Sequence, residues 1–243
     1  MQQYYNYRLS ESLDKVVMVG EGRVTVVACL NPHSFVTALD DSEFRQALES
    51  CDVLLPDGEG VCLTMRWYGK RNIVKIAGDD LHSHLLRRLA DRGGRVYYMG
   101  SRREVLTLIK RRVEREHAGI EVRCWSPSWG REIPEEESRE ILSDIKSFAP
   151  DVLFVGMTAP KQEKWVARHR DELSGVGVVA SIGAVFEFYA GTVKRAPGWI
   201  VRLKMEWLVR LLKEPRRMWR RNFVSTPRFL LWTWKHRKEI KKT

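Results

Sequence analysis

The stretch VTVVACL, residues 24–30, decides the fold class of this chain. It is a continuous apolar run rich in β-branched residues, which is typical of a strand buried on both faces of a sheet. Further short runs of this kind follow it, and segments with helical periodicity separate them. Alternation of strands and helices predicts parallel strands joined by crossover helices. The predicted strands are residues 24–30, 53–55, 95–99, 122–124, 151–155 and 176–182.

Length and composition agree with a globular protein. The chain has 243 residues, of which 44% are hydrophobic and 30% are charged, and these values exclude collagen, coiled coils and disordered chains. We therefore predict an α/β fold with a Rossmann-like, mostly parallel sheet flanked by helices. A helical C-terminal appendage is expected to follow this sheet.

The charge of the chain is distributed unevenly. Residues 194–243 contain sixteen of the 42 Lys and Arg residues but three of the 31 acidic residues, so this segment carries +13 and residues 1–193 carry −2. Five of the nine tryptophans also lie in this segment. We therefore predict two parts: an α/β domain in residues 1–193 and a basic, Trp-rich helical appendage in residues 194–243.

The appendage has two candidate roles and one structural alternative. Arg210, Arg217 and Arg220 share one helical face if Pro215 begins a helix, and such a face could bind diphosphate oxygens. Trp and Arg interleaved on amphipathic helices also suit a membrane surface. The alternative is a solvated basic face whose Trp side packs into the core. Pro215 and Pro227 are predicted to divide this region into short helical pieces.

Polar residues follow three of the predicted strands, at the edge where parallel sheets place their ligands. Asn31 follows the first strand, Asp57 follows the second in LLPDGEGV, and the cluster Thr158, Pro160, Lys161, Gln162 and Glu163 follows FVGM. Asp57 is equally explained as a turn residue before glycine, and Asn31 as a helix N-cap.

Several site types are disfavoured by what the sequence lacks. It contains no Asp-x-Asp, no phosphate-binding loop and no zinc-protease motif, so no metal ligands are predicted. His82 and His84 are two residues apart and are interpreted as surface histidines of a helix. The four cysteines form no C-x-x-C pair and are predicted to be reduced and mostly buried. The chain has neither a membrane-spanning run nor a signal peptide, which predicts a cytoplasmic protein.

Six segments, taken together, resemble the WecG/TagA/CpsF family of bacterial glycosyltransferases. They are the Asn31-Pro32 pair, LPDGEGV around Asp57, KIAGDDL, APKQEKW, IGAVFEFYAGTVKRAP and EWLVRLLKEPRRMWRR, in family order between about residues 24 and 221. The resemblance implies a metal-independent, cofactor-free, inverting transfer of an N-acetylmannosamine-type sugar. The implied donor is a UDP-sugar, and the implied acceptor is GlcNAc linked to undecaprenyl diphosphate at the cytoplasmic membrane surface.

The resemblance also assigns residues. Asp57 matches the catalytic base, Asn31 and Gln162 match donor-sugar contacts, and Arg210, Arg217 and Arg220 match arginines that engage diphosphate. Three substrate-site positions depart from the family pattern: Cys29 replaces Thr, Lys75 replaces Arg, and Glu187 stands where Asp is frequent.

Two rival functions are kept beside this hypothesis. One is a nucleic-acid-binding module that uses the basic aromatic appendage, and the other is a non-catalytic scaffold at a membrane surface. Neither explains polar residues at three strand ends, so we expect no nucleic-acid partner. The sequence leaves the oligomeric state open, a homo-oligomer included.

Overall fold

The computed structural model describes residues 2–4, 7–18, 22–69, 73–193, 211–212 and 215–237, without the side chains of 2–4, 216 and 217. Their centre is one sheet of eight strands: β1 Gln2–Tyr4, β2 Tyr7–Leu9, β3 Thr25–Leu30, β4 Val53–Pro56, β5 Gly94–Gly100, β6 Ile120–Trp125, β7 Val152–Gly156 and β8 Val178–Ser181. The strand order is β1-β2-β4-β3-β8-β7-β5-β6. All neighbouring pairs are parallel except β1 with β2.

The predicted α/β class is therefore confirmed, and so are the six predicted strands, with ends shifted by one or two residues. The sequence analysis missed β1 and β2. Each has three residues, which is too short for alternating hydrophobicity to be recognised. Leu9 of β2 pairs with Leu54 of β4, and this strand extends the parallel sheet at one edge.

Helices cover both faces of the sheet. They are α1 Pro32–Asp40, α2 Ser42–Glu49, α3 Glu59–Trp67, α4 Gly78–Ala90, α5 Arg103–Glu116, α6 Glu135–Phe148, α7 Lys161–Arg168, α8 Val185–Ala190, α9 Pro215–Trp219 and α10 Thr226–Lys235. Helices α4, α5 and α8 cover one face of the sheet. Helices α1, α2, α3 and α10 cover one part of the opposite face, and α6 and α7 cover the other part.

His82 corrects one prediction, because it is not a surface residue. It lies on the inner side of α4 with a side chain that is 1% exposed, and its Nε2 is 2.8 Å from the hydroxyl of Tyr98. Leu81, Leu85 and Leu89 are buried on the inner face of α4. His82, which follows Leu81, is buried on that face with them. Burial lowers the pKa of His82 to about 3, so the imidazole is neutral.

The C-terminal helices pack against α1 and α3. Phe229 of α10 is fully buried, and its ring lies 5.2 Å from that of Phe35 in an edge-to-face arrangement. The hydroxyl of Tyr68, just after α3, donates to the carbonyl of Thr233 at 2.8 Å. Arg228 forms an ion pair with Asp40 at the end of α1. The described part of the appendage thus contributes to the core, while its division from the domain at residues 193/194 stays a prediction.

Two prolines, Pro215 and Pro227, lie in the described part of this segment. The described part of α9 starts at Pro215, directly after residues 213 and 214, which lie outside the described residues, so the shared face of the arginines stays a prediction. Pro227 does not separate two helical pieces, contrary to the prediction. Helix α9 continues through a π-helical turn, Arg220–Ser225, directly into α10. Proline has no N–H to donate, and the wider turn before Pro227 accommodates that loss without ending the helix.

Candidate active site

Four neighbouring strands end side by side at the candidate site. In the sheet order β4, β3, β8 and β7, these ends lead to Asp57, Asn31, Gly183 and Met157. At three of these ends, those of β4, β3 and β7, the sequence analysis places polar residues. Parallel topology therefore brings together the predicted positions Asp57, Asn31 and Gln162.

Asn31 is the N-cap of α1, which was one of its two interpretations. Its Oδ1 accepts hydrogen bonds from the backbone N–H groups of His33 and Ser34, both at 3.0 Å. The hydroxyl of Ser34 accepts in return from the N–H of Asn31 at 2.9 Å, which completes a capping box. The cap uses the amide oxygen, so a contact with substrate, which stays a prediction, would fall to Nδ2.

Asp57 lies in a loop that packs against the Asn31 loop. Its backbone N–H donates to the carbonyl of Leu30 at 2.9 Å, across the ends of β3 and β4. The glycines that follow make the approach close: a Cβ at Gly60 would lie 2.9 Å from Cγ of Pro32. Gly58 also has a φ of 102°, which favours glycine. The LPDGEG sequence thus holds a half-buried carboxylate beside the start of α1.

Cys29, one of the three departures from the family pattern, lies at the centre of this edge. It belongs to a central strand, yet the residue is only partly buried. Burial raises the pKa of its thiol well above the usual range, and the nearby carboxyl groups of Asp57, Glu163 and Asp80 raise it further. Acidic groups from three loops or helices therefore surround the end of β3, and the thiol is uncharged.

Lys75 supplies positive charge near the end of β4, where Asp57 lies. It is exposed on the segment before α4, where Ile76 donates its N–H to the carbonyl of Pro56 at 2.9 Å. Both Asp57 and Lys75 act electrostatically on the thiol of Cys62, whose pKa burial raises to about 11. Lys75 is therefore at the same edge as Asp57, as the substrate-site prediction requires.

Gln162 lies in the first turn of α7 and is buried, with 5% of its surface exposed. Its Oε1 accepts from the N–H of Met157 at 3.1 Å, and its Nε2 donates to Oε1 of Glu163 at 2.8 Å. The amide also packs against the β8 loop, since a Cβ at Gly183 would lie 3.8 Å from Nε2. Gln162 thus joins the ends of β7 and β8, and its contact with a donor sugar stays a prediction.

Glu163 is the polar residue of this edge that the sequence analysis placed in the cluster but did not select. It is 5% exposed, and burial raises its pKa to about 7. The spacing contained a signal for its burial: positions 162 and 163 share a helix face with Trp165 and Val166, which are both buried.

Glu187 is held by hydrogen bonds that link α8 to the end of β5. One oxygen accepts from the Ser101 hydroxyl at 3.0 Å, and the other accepts from the Thr192 hydroxyl at 2.6 Å. These bonds give it a structural role at the observed position. Its predicted contact with substrate is not tested by them.

The three predicted arginines fall into different categories. Arg210 lies outside the described residues, and so does the side chain of Arg217, whose backbone belongs to α9. Arg220 is exposed, and its charge helps Arg228 to lower the pKa of Asp40 at the far end of α1 from Asn31. Their role in binding diphosphate stays a prediction.

Within the described ranges, no group of three or more His, Cys, Asp or Glu side chains is placed to hold a metal ion. No helix in the part of the chain that is described is long and apolar enough to cross a membrane.

Comparison with known families matches residues 3–243 to a model described as the glycosyl transferase WecG/TagA/CpsF family. The chain belongs to this family. It is therefore a glycosyltransferase, which confirms the resemblance and decides against the non-catalytic scaffold. The nucleic-acid hypothesis gains no support from the match.

The related proteins include several named N-acetylglucosaminyldiphosphoundecaprenol N-acetyl-beta-D-mannosaminyltransferase. The one from Bacillus spizizenii is 32% identical over 86% of this chain and 79% of its own length. The one from Bacillus subtilis is 30% identical over 89% of this chain and 81% of its own length. A Staphylococcus aureus protein of the same name is 26% identical over similar shares, 89% and 82%.

Proposed function

We propose that this glycosyltransferase moves an N-acetylmannosamine-type sugar from UDP to the GlcNAc of an undecaprenyl-diphosphate-linked acceptor, with inversion and without a metal ion. The observation that carries the proposal is the position of Asp57 at the end of β4, bonded to the end of β3, in a chain whose relatives are named for N-acetylmannosaminyl transfer to N-acetylglucosaminyldiphosphoundecaprenol. Cell-wall or surface-polysaccharide synthesis is the context in which such an acceptor is used.

Asp57 is proposed as the general base. Its carboxylate accepts the proton of the acceptor hydroxyl while that oxygen forms a bond to the anomeric carbon. The bond from this carbon to the UDP oxygen breaks on the opposite face, and UDP leaves with the electron pair. Attack opposite the leaving group inverts the configuration at the anomeric carbon.

The negative charge that develops on UDP needs positive partners. Lys75, exposed near Asp57, is one such group, and the appendage arginines Arg210, Arg217 and Arg220 are proposed as the others. The N–H groups of the Asn31 side chain would orient the sugar. Gln162 would contact the donor sugar from the end of β7.

The charge and exposed aromatic residues of the appendage support a peripheral position at the membrane surface that holds the lipid-linked acceptor. Trp219 and Phe223 are exposed, with tilted rings whose centroids are 4.5 Å apart, and Trp234 is also exposed. Indole rings and basic side chains are the groups that bind the headgroup region of anionic membranes.

The test is a transfer assay with a panel of UDP-sugars and a lipid-linked GlcNAc-diphosphate, with products identified by mass. Asp57→Asn should lower turnover by about a hundredfold or more while UDP-sugar binding changes little, because the amide cannot take the proton. Glu59→Gln, two residues further along, is the control and should keep near-normal turnover.

Two results would contradict the proposal. Near-normal turnover of Asp57→Asn would exclude the general-base role. Loss of transfer in excess EDTA, with rescue by Mg²⁺ or Mn²⁺, would show that the reaction needs a metal ion.

A further inference from the structure

Glu163 is a buried carboxyl group that the proposed chemistry does not use. It is 5% exposed, and its Oε2 is buried with no hydrogen-bond partner among the described residues. Its other oxygen, Oε1, accepts from Nε2 of Gln162 at 2.8 Å. Buried carboxyl groups with a single hydrogen bond are costly when charged, so a role that needs the uncharged acid is the one that fits this position.

The hydrogen bonds around Gln162 depend on Glu163. The Met157 N–H can only donate, so the Gln162 amide must present its oxygen there, at 3.1 Å. Its NH₂ group then points to Glu163, which must offer an acceptor. In this orientation the amide touches the Met157 backbone and lies against Gly183, where the β7 and β8 ends meet.

The charged and titratable groups around Glu163 do not neutralise a negative charge there. Cys29 of β3 and Cys51 after α2 both have their thiol pKa raised by it, and Asp57 and Asp80 act on the same Cys29 thiol. The adjacent Lys164 points away, since its Nζ pairs with Asp41 at 2.8 Å and Glu43 at 3.0 Å. Ionisation of Glu163 would therefore add negative charge to an acidic neighbourhood.

We propose that Glu163 is a positioning residue whose Oε1 accepts from the Gln162 amide, holds that amide against the Met157 N–H and thereby sets the spacing of the β7 and β8 ends for the donor. This inference rests on the proposed function for its consequence in catalysis. Ionisation of Glu163 adds a negative charge to the sheet edge at which the anionic donor is proposed to bind, which raises the KM for the donor. Burial gives this carboxyl a pKa of about 7, so the effect falls in an accessible pH range.

Two substitutions separate the ability of Glu163 to accept a hydrogen bond from its ability to ionise. Glu163→Gln keeps an acceptor for Gln162 and cannot ionise, whereas Glu163→Ala removes the acceptor. Glu140→Gln, on the exposed side of α6, is the control for loss of a carboxylate elsewhere.

The first measurement is the donor KM between about pH 6 and about pH 8.5. The wild-type and Glu140→Gln enzymes should show a KM that rises several-fold across this range, with kcat less affected. Glu163→Gln should match the wild-type KM at the acid end and stay constant. Glu163→Ala should raise KM by about tenfold at every pH, the cost of one lost buried hydrogen bond. Equal pH profiles for wild type and Glu163→Gln would overturn the proposal.

The second measurement needs no substrate and separates this proposal from the proposed function. The Met157 amide should exchange its hydrogen slowly in wild type and Glu163→Gln but quickly in Glu163→Ala. Unchanged exchange in Glu163→Ala would overturn the positioning role even if transfer is observed. If no UDP-sugar is transferred by the wild-type protein, the function fails, while this exchange pattern still decides the role of Glu163.

Discussion

His82 and Glu163 are two buried titratable residues whose pKa values move in opposite directions for the same reason. Burial lowers the pKa of His82 to about 3 and raises that of Glu163 to about 7. In both cases the interior disfavours the charged form. The folded protein therefore carries a neutral imidazole and, below neutral pH, a neutral carboxyl group. The imidazole makes the fold less stable as the pH falls, and the carboxyl group makes it less stable as the pH rises.

We expect His82 to destabilise the fold as the pH falls below about 6.5. Below this pH the unfolded chain binds a proton at His82, and the folded chain does not until about pH 3, so the free energy of unfolding decreases by at most about 1.4 kcal/mol per pH unit. His82→Phe should remove this dependence. It should also cost about 1–3 kcal/mol at pH 7, because the Tyr98 hydroxyl loses its partner.

Urea unfolding of both proteins at about pH 7 and about pH 5 measures the two effects separately. An equal change in stability for wild type and His82→Phe on acidification would show that His82 does not contribute to the pH dependence. Glu163 has the opposite sign, since its folded-state pKa is raised. Its contribution declines as the pH rises from about 4.5 to about 7 and amounts to about 3 kcal/mol in total.

At the scale of elements, the docking of α10 on α1 links the appendage to the candidate site. Helix α1 is capped by Asn31, and in its first turn Nδ1 of His33 is 2.8 Å from the hydroxyl of Ser225, at the end of the π-helical turn. The N–H of the same His33 belongs to the Asn31 cap. A displacement of the C-terminal helices would therefore act on the first turn of α1 and on its cap.

Phe229→Ala tests how much this docking stabilises the fold. Removal of the fully buried ring should cost about 3–5 kcal/mol of unfolding free energy. Leu231→Ala is the matched control on the same helix, because Leu231 is 62% exposed and its loss should change stability by less than about 0.5 kcal/mol. Chemical denaturation gives both values. Similar losses for the two variants would mean that α10 does not rest on the core through Phe229.

The sequence predicts some elements better than others, for physical reasons. Runs such as residues 24–30 are buried on both faces, and their composition alone identifies them as strands. The two N-terminal strands have three residues each, so even β2, whose Tyr7 and Leu9 are buried, is too short to show a recognisable pattern. Pro227 misleads because a π-helical turn absorbs its missing hydrogen bond, and no local pattern announces such a turn.

For the candidate site too, the sequence predicts the positions of residues better than their interactions. Strand-end positions place Asp57, Asn31 and Gln162 together from topology alone. What each side chain does there depends on its neighbours in space. The Asn31 cap is local, and the sequence offers it as one of two interpretations, whereas the hydrogen bond between Glu187 and Ser101 joins distant segments, which the sequence does not specify.

At the scale of the whole molecule, the charge separation between residues 1–193 and 194–243 predicts the orientation of the protein on a surface. The +13 segment also exposes Trp219 and Trp234, each at 60%. We propose that this side faces an anionic membrane and that the near-neutral α/β part faces away.

Binding to vesicles that contain anionic lipid should weaken strongly between about 50 mM and about 500 mM salt, because screening removes the attraction of the basic residues. The double variant Trp219→Ala with Trp234→Ala should bind about tenfold more weakly at low salt, since it loses buried aromatic area. Trp129→Ala is the control. Trp129 is 85% exposed but lies in the loop between β6 and α6.

Co-sedimentation measures these affinities. Salt-independent binding would contradict the electrostatic part of the proposal, and an equal loss for Trp129→Ala would contradict the proposed orientation.

The position of β8 in the strand order has a consequence for how the chain reaches its native state. It is the last strand along the described chain, yet it lies in the middle of the sheet and is the only strand that joins β3 to β7. Thr25 pairs with Val178, so this contact closes a very long loop, which slows folding. Until β8 inserts, the half built from β2, β4 and β3 and the half built from β7, β5 and β6 each present an open apolar edge. We expect newly made chains to be most prone to aggregation in this interval, and β8 to be the strand whose arrival ends it.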